Sequence, residues 1–312
     1  MKVAWIFPGQ GSQEVGMGAD LAERFPAARA VFERADAALG ERLSELAFRG
    51  PLEDLTLTKN TQPALLATST ALLAAAREAW PELPAPVVAL GHSLGEYSAL
   101  TSSGALSLED GVRICRARGL AMQAAVPEGE GSMAAVLGVD AAALEAVCAE
   151  SGDAGVVAPA NFNAPGQIVI AGAKAAVDKA SALLQQRGGK VIPLRVSAPF
   201  HCALMKPAAE ALSRELEGIS IGAMRFPVIA NVDAEPNDDP SRVKSLLVRQ
   251  VDAPVQWVKS IERAAALGVT TMLEIGPGKV LAGLVKRISK SIRVVNVSDA
   301  TSVEALRKNL EA

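Results

Sequence analysis

Cysteine and histidine are scarce in this chain, and their scarcity narrows its chemistry at once. Only three cysteines occur in 312 residues, Cys115, Cys148 and Cys202. They are odd in number and widely scattered, which excludes a disulfide framework and a paired zinc site. A reducing cytoplasm is the expected compartment. Two histidines, His92 and His201, are the only imidazoles available for proton transfer. The cysteines lack the paired spacing of a metal site; no metal and no bound cofactor is expected.

Aromatic residues make up 4% of the chain and apolar residues 50%, so its core must be built from Ala, Val, Leu and Ile. No apolar run reaches the ~20 residues that span a bilayer. The least polar stretch, Ala64 to Ala76, is broken by Thr68-Ser69-Thr70 and closed by Arg77, and reads as a core helix. The opening Met1-Lys2-Val3-Ala4-Trp5-Ile6-Phe7 reads as a strand rather than a signal sequence. A net charge of -3, from 31 basic and 34 acidic side chains, gives no general attraction to nucleic acid or to an anionic membrane.

Strand-like and helical runs alternate at the start: Val3 to Phe7, a helix near Gly18 to Leu39, a helix near Pro63 to Trp80, and Val87 to Leu90. This order favours a parallel sheet covered by helices. After the Gly-rich acidic linker Pro127 to Ser132 the pattern becomes strand (Met133 to Leu137), helix (Ala141 to Glu150), strand (Val156 to Asn161), strand (Gln167 to Ala171), helix (Ala173 to Arg187) and strand (Lys190 to Val196). That is the split βαβ order of a ferredoxin-like module. The expected fold is therefore α/β: a large α/β hydrolase-like domain with a parallel sheet core, residues 1–128 and 197–312, and an inserted ferredoxin-like small domain, residues 129–196. A cleft between them is the expected ligand site. Further strands are expected at Pro227 to Val232 and Thr271 to Ile275.

The segment GHSLGEYSAL, residues 91–100, follows the run Val87 to Leu90 and carries Ser93 in the spacing G-x-S-x-G. A serine between a strand and a helix, flanked by glycines, is the pattern of a nucleophile elbow, with the amide of Leu94 placed as an oxyanion donor. A hydroxyl needs a base. His92 adjoins Ser93 and should leave the backbone in another direction, so His201 is the candidate. No Asp or Glu stands out as its partner, and a dyad steered by a carbonyl or an amide is one expectation. Cys202 is read as a buried structural thiol.

The helix Glu109 to Val126 places Arg113, Arg116 and Gln123 on one side, and Arg118 on the other, among Ile114, Cys115, Ala121, Met122 and Ala125. A buried guanidinium needs either an internal carboxylate or an incoming anion, and periodicity leaves both open. An acyl group ending in a carboxylate would suit it.

These residues, with Phe7-Pro8-Gly9-Gln10-Gly11-Ser12-Gln13 and the segments RARGLAMQ, ANFNAPGQIVIAG, APFHCALM, QVDAPVQW and EIGPGKVL, resemble the malonyl-CoA:acyl-carrier-protein transacylase family over nearly the whole length. The resemblance implies a malonyl-CoA:acyl-carrier-protein S-malonyltransferase of fatty acid or polyketide synthesis. In such an enzyme a serine takes the malonyl group from a coenzyme A thioester and passes it, ping-pong, to the phosphopantetheine thiol of acyl carrier protein. By position it implies Ser93 as nucleophile, His201 as base, Arg118 as the clamp on the malonyl carboxylate, and Gln10 and Leu94 as oxyanion-hole amides. Gln250 would orient His201 through its backbone carbonyl, and Phe200 would favour malonyl over methylmalonyl. Asn161 and Asn163 match a family segment near the cleft. An acidic carrier would meet a local basic surface, for which Lys286, Arg287, Lys290 and Arg293, or Arg113 and Arg116, are candidates. A monomer is expected. The same elbow would serve a serine esterase or thioesterase, and the fold alone would serve a non-catalytic scaffold.

Overall fold

A computed structural model describes residues 1–194, 196 and 198–311. Two sheets organise them. The first has six strands in the order β10-β9-β1-β2-β7-β8, formed by β1 (Val3–Phe7), β2 (Val88–Gly91), β7 (Val228–Ile229), β8 (Pro236–Asn237), β9 (Thr271–Ile275) and β10 (Arg293–Val297). Its pairings are parallel except for the hairpin-like β7 and β8. The second has four strands, β3 (Gly131–Leu137), β4 (Val157–Ala164), β5 (Gln167–Ala173) and β6 (Lys190–Pro193), in the order β4-β5-β3-β6 and antiparallel throughout. The structure is thus mixed α/β, with a parallel core sheet and a separate antiparallel sheet.

All five residues of β1 are buried, as a central strand covered on both faces requires. Successive side chains point to opposite faces. Val3, Trp5 and Phe7 accordingly enter a core under the helices Pro26–Leu39, Thr58–Ala79 and Leu108–Ala124, while Ala4 and Ile6 enter a second core with Trp257, Ile261 and Leu281. The antiparallel sheet has its own core, built from Val136, Leu144, Ile170, Val177 and Leu184.

The alternation of elements expected between Met133 and Arg187 is present, with β4 running on to Ala164. The last strand ends at Pro193 rather than Val196, although Leu194 still donates to the carbonyl of Met133. Arg195 and Ser197, within the expected strand and at the expected domain boundary, lie outside the described residues. The first helical run is two helices, Ala19–Arg24 and Pro26–Leu39, because Pro26 cannot donate and takes the first position of a new helix. Two short helices, Leu43–Arg49 and Leu52–Thr56, follow, and the helix expected from Pro63 begins at Thr58 and keeps Pro63 within its first turns. The expected strand Pro227 to Val232 shrinks to Val228–Ile229, since the chain must turn there to deliver Asn231 to the serine.

Glu274, fully buried on β9, explains the EIGPGKVL segment. Its two carboxylate oxygens accept from the amides of Leu281 and Ala282 at the start of helix Val280–Ile288, and one also from Asn296 Nδ2. Burial raises its pKa against the pull of these hydrogen bonds, and the carboxylate is fully occupied in holding the helix to the sheet.

Candidate active site

The serine turn is built by close backbone approach. A Cβ on Gly91 would lie 1.9 Å from the carbonyl carbon of Gly95, and one on Gly95 would lie 2.0 Å from the carbonyl oxygen of Phe7. Strand β2 and helix Gly95–Ser103 can meet this tightly only if both positions lack a side chain. Between them Ser93 adopts φ 51°, left-handed backbone that costs a non-glycine residue about 1 to 3 kcal/mol and is held only where the surroundings over-determine it. Asn231 supplies that hold: its Oδ1 accepts from the Ser93 amide at 2.7 Å, and its Nδ2 donates to the carbonyl of Gly91 at 2.7 Å. His201 also has positive φ, 60°, in the turn that precedes helix Lys206–Glu217.

Ser93 Oγ lies 2.7 Å from His201 Nε2, and His201 Nδ1 lies 2.9 Å from the backbone carbonyl of Gln250. A carbonyl is only an acceptor, so it fixes the proton on Nδ1 and leaves Nε2 free to take one from the serine. His201 is buried, and its pKa falls to about 3. Burial is the largest cause and the positive charge of Arg118 the next, partly offset by the bond to Gln250. The imidazole is therefore neutral across the physiological range.

Arg118 is 1% exposed and none of the ion pairs among the described residues includes it. Nη1 donates to Gln62 Oε1 at 2.8 Å; Nη2 donates to Gln250 Oε1 at 3.0 Å and to Ser93 Oγ at 3.1 Å. Its Nε has no partner among the described residues. The guanidinium also lies 5.3 Å above the Tyr97 ring. A buried cation held by neutral amides and pointed at a hydroxyl is arranged to receive an anion there.

Gln10 and Leu94 flank the serine from two loops. Gly9 packs so closely on the elbow that a Cβ would lie 2.4 Å from the carbonyl oxygen of His92. No acceptor among the described residues takes the backbone amide of Gln10 or of Leu94, whereas the Gln10 side chain donates to Thr58 Oγ1 at 3.2 Å. Phe200 is 9% exposed and packs in the large core beside His201. Cys202 is buried, donates to the carbonyl of Pro199, and has its pKa pushed up to about 11 by burial, so it is an inert thiol.

His92 points away from the serine's base, as its place on the turn demands. Its Nε2 lies 2.7 Å from Asn163 Oδ1 on β4, and its ring is tilted against Trp257. Asn161 is nearly buried and bridges to Val255. Of the basic candidates, Arg116 is paired with Glu41 and also donates to Asn60, whereas Arg287 donates only to the neutral carbonyl of Pro165 and to Gln167 and so keeps its charge unpaired among the described residues. A groove of about 680 Å³ runs between the antiparallel sheet and helix Trp257–Ala266, lined by Phe162, Ile168, Pro254 and Val258, but Ser93, His201 and Arg118 do not line it. Among the described residues no cluster of His, Cys, Asp and Glu could hold a metal.

Sequence reasoning missed Glu96, Asn231 and Gln62. Glu96 stands inside the quoted serine motif, and its charge on a helix otherwise filled with small and apolar residues was the available signal. Asn231 and Gln62 gave none.

A family model described as acyl transferase domain matches residues 4–312. A malonyl CoA-acyl carrier protein transacylase of Haemophilus influenzae is 47% identical, over 99% of each chain. The chain belongs to the malonyl CoA-acyl carrier protein transacylase family. Among solved structures of this family, the acyl-carrier-protein-S-malonyltransferase of Bartonella henselae superposes with a TM-score of 0.96 at 47% identity over all of both chains. A malonyl-transacylase in complex with its type II PKS acyl-carrier protein superposes with a TM-score of 0.95 at 44% identity, covering 99% of this chain and 100% of that one.

Proposed function

We propose that this transacylase moves a malonyl group from malonyl-CoA to the phosphopantetheine thiol of acyl carrier protein through a malonyl-Ser93 ester. Ser93 Oγ attacks the thioester carbonyl while His201 Nε2 takes its proton. The oxyanion is received by the amides of Gln10 and Leu94, the second at the positive end of helix Gly95–Ser103, where the next amides, those of Gly95, Glu96 and Tyr97, are already taken by the carbonyls of His92, Ser93 and Leu94. The C–S bond then breaks and the coenzyme A sulfur leaves with the proton from His201. In the second half the carrier thiol gives its proton to His201 and attacks the ester carbonyl; the C–Oγ bond then breaks, Ser93 Oγ leaves with the proton from His201, and the malonyl thioester of the carrier is released.

The observation that carries this reading is the guanidinium of Arg118, buried without a carboxylate partner among the described residues and 3.1 Å from the serine oxygen. A general esterase has no reason to bury a cation in its acyl pocket. Arg118 also explains preference in rate. Its charge is one of the causes that depress His201, so a carboxylate seated on it returns basicity to the imidazole when the acyl group arrives. Phe200, the bulky residue that precedes His201, would favour malonyl over methylmalonyl in this reading.

The same reading divides the chain into an α/β hydrolase-like catalytic domain, residues 1–128 and 197–312, and a ferredoxin-like domain, residues 129–196. It takes the enzyme as a cytoplasmic monomer that needs no bound cofactor; no helix among the described residues is long and apolar enough to cross a membrane. Intact mass after incubation with malonyl-CoA tests it. The protein is expected to gain one malonyl unit, lose it to holo acyl carrier protein, and gain none as Ser93→Ala. Absence of label on the unaltered chain would leave a binding scaffold instead.

A further inference from the structure

The steps above leave one buried acid without a role. Glu96, 2% exposed, is the second residue of helix Gly95–Ser103. Its Oε2 accepts from Gln250 Nε2 at 2.8 Å and from the Asn231 amide at 2.9 Å. The Gln250 side-chain nitrogen also donates to the Ser93 carbonyl at 2.9 Å, and its oxygen therefore faces Arg118 Nη2 at 3.0 Å. A side-chain amide donates only from one end and accepts only at the other. Turned over, it would point N–H groups at the guanidinium and an oxygen at the carboxylate, two repulsive contacts in a dry site. The position of Glu96 thus decides which end meets Arg118.

We propose that Glu96 is a positioning residue: the remote counter-charge of Arg118, coupled to it through the Gln250 side chain, which keeps the guanidinium turned to the acyl pocket and unpaired. A carboxylate in direct contact would neutralise Arg118, and the incoming acyl carboxylate would have to displace it. With no counter-charge, the buried cation would be costly and free to turn away. One intervening amide does neither. The same carboxylate holds Asn231, and through it the Ser93 amide, so the clamp and the elbow share an anchor.

This inference rests on the reading of Arg118 as the carboxylate site, and the test separates the two. The kcat/KM values for malonyl-CoA and for acetyl-CoA would be measured with the full chain and holo carrier protein, for the parent, Arg118→Ala, Glu96→Gln and the double variant. Acetyl transfer uses Ser93 and His201 without needing the clamp. Asn231 and Gln250 both donate to the one oxygen Oε2, which a glutamine oxygen can replace. Above about pH 7, Glu96→Gln therefore removes the charge and keeps the elbow's anchor. It is expected to lower the malonyl-to-acetyl ratio about tenfold while acetyl transfer stays within about threefold, and to change the ratio by less than about twofold once Arg118 is already Ala. Equal losses for both donors, or the same loss of ratio in both backgrounds, would overturn it and make Glu96 merely part of the fold. Should Arg118→Ala by itself leave the ratio unchanged, the clamp fails first and the coupling with it. Gln250→Met is the second variant if Glu96→Gln does not fold. It keeps the backbone carbonyl on His201 but cuts the link, so the ratio should fall likewise, and an unchanged ratio would refute the coupling.

Discussion

Replacing Arg118 by alanine is the perturbation with the largest calculable consequence. The guanidinium is 1% exposed and faces the serine oxygen at 3.1 Å, so a malonyl carboxylate seated there would be desolvated with it. Removing one partner of a buried, hydrogen-bonded pair costs about 3 to 5 kcal/mol. At about 1.4 kcal/mol per factor of ten, malonyl transfer should fall by roughly a hundredfold to several thousandfold in kcat/KM. A neutral acyl donor has no carboxylate to lose. It should gain, because the variant removes a cation that opposes protonation of His201 and opens volume beside Ser93. Gln62 and Gln250 each lose a charge-assisted donor, about 1.5 to 3 kcal/mol apiece before relaxation, so melting of the variant must be checked alongside. The assay is competition between malonyl-CoA and a longer neutral acyl-CoA for one enzyme sample, read as the ratio of acylated carrier products. A variant that remains folded and still prefers malonyl to the same degree would refute the carboxylate clamp.

The two perturbed groups at the site should leave opposite marks on stability. Burial pushes Glu96 up to about 7, against the hydrogen bonds from Asn231 and Gln250 and the charge of Arg118, and with Asp233 adding to the rise. Between about pH 4.5 and 7 its folded form therefore binds a proton that the unfolded chain lacks, so stability from this group declines as pH climbs through that window, and the negative charge that faces Arg118 through Gln250 is present above it. His201, lowered to about 3, does the reverse: its contribution is lost as pH falls from about 6.5 toward 3. In the shared window the slopes cancel, so Glu96→Gln should expose a loss near 1.4 kcal/mol per pH unit on acidification, measurable by urea unfolding at several pH values. Gly95→Ala should fail to fold or lose all acylation, since its methyl would meet the Phe7 carbonyl at 2.0 Å; a soluble, fully active variant would contradict the tight elbow. Cys202→Ala should retain malonyl labelling at Ser93, and a loss of labelling with folding intact would give the thiol a part in the chemistry.

The serine motif, the apolar strand before it and the arginine on the inner side of its helix are local features, and the sequence shows them plainly. A strand–turn–helix with glycines at both flanks has few other uses, and the 100° step of a helix tells which side an arginine takes. The antiparallel lobe was legible for the same reason: its strands and helices follow each other without long insertions, so the order of elements nearly dictates the pairing. What periodicity cannot supply is the meeting of segments distant in the chain. Ser93 and His201 are 108 positions apart, Arg118 and Gln250 132, Glu96 and Asn231 135, and each pair is brought within hydrogen-bond distance only by the stacking of the parallel sheet and its helices. A polar side chain such as Gln62 or Asn231 looks the same in sequence whether it faces water or completes a buried network. The charge on Arg118 required an answer that the sequence left open between an internal acid and a substrate. Only tertiary structure shows that no carboxylate among the described residues touches Arg118, and that Glu96 lies one amide away beyond Gln250, because that arrangement joins segments far apart in the chain.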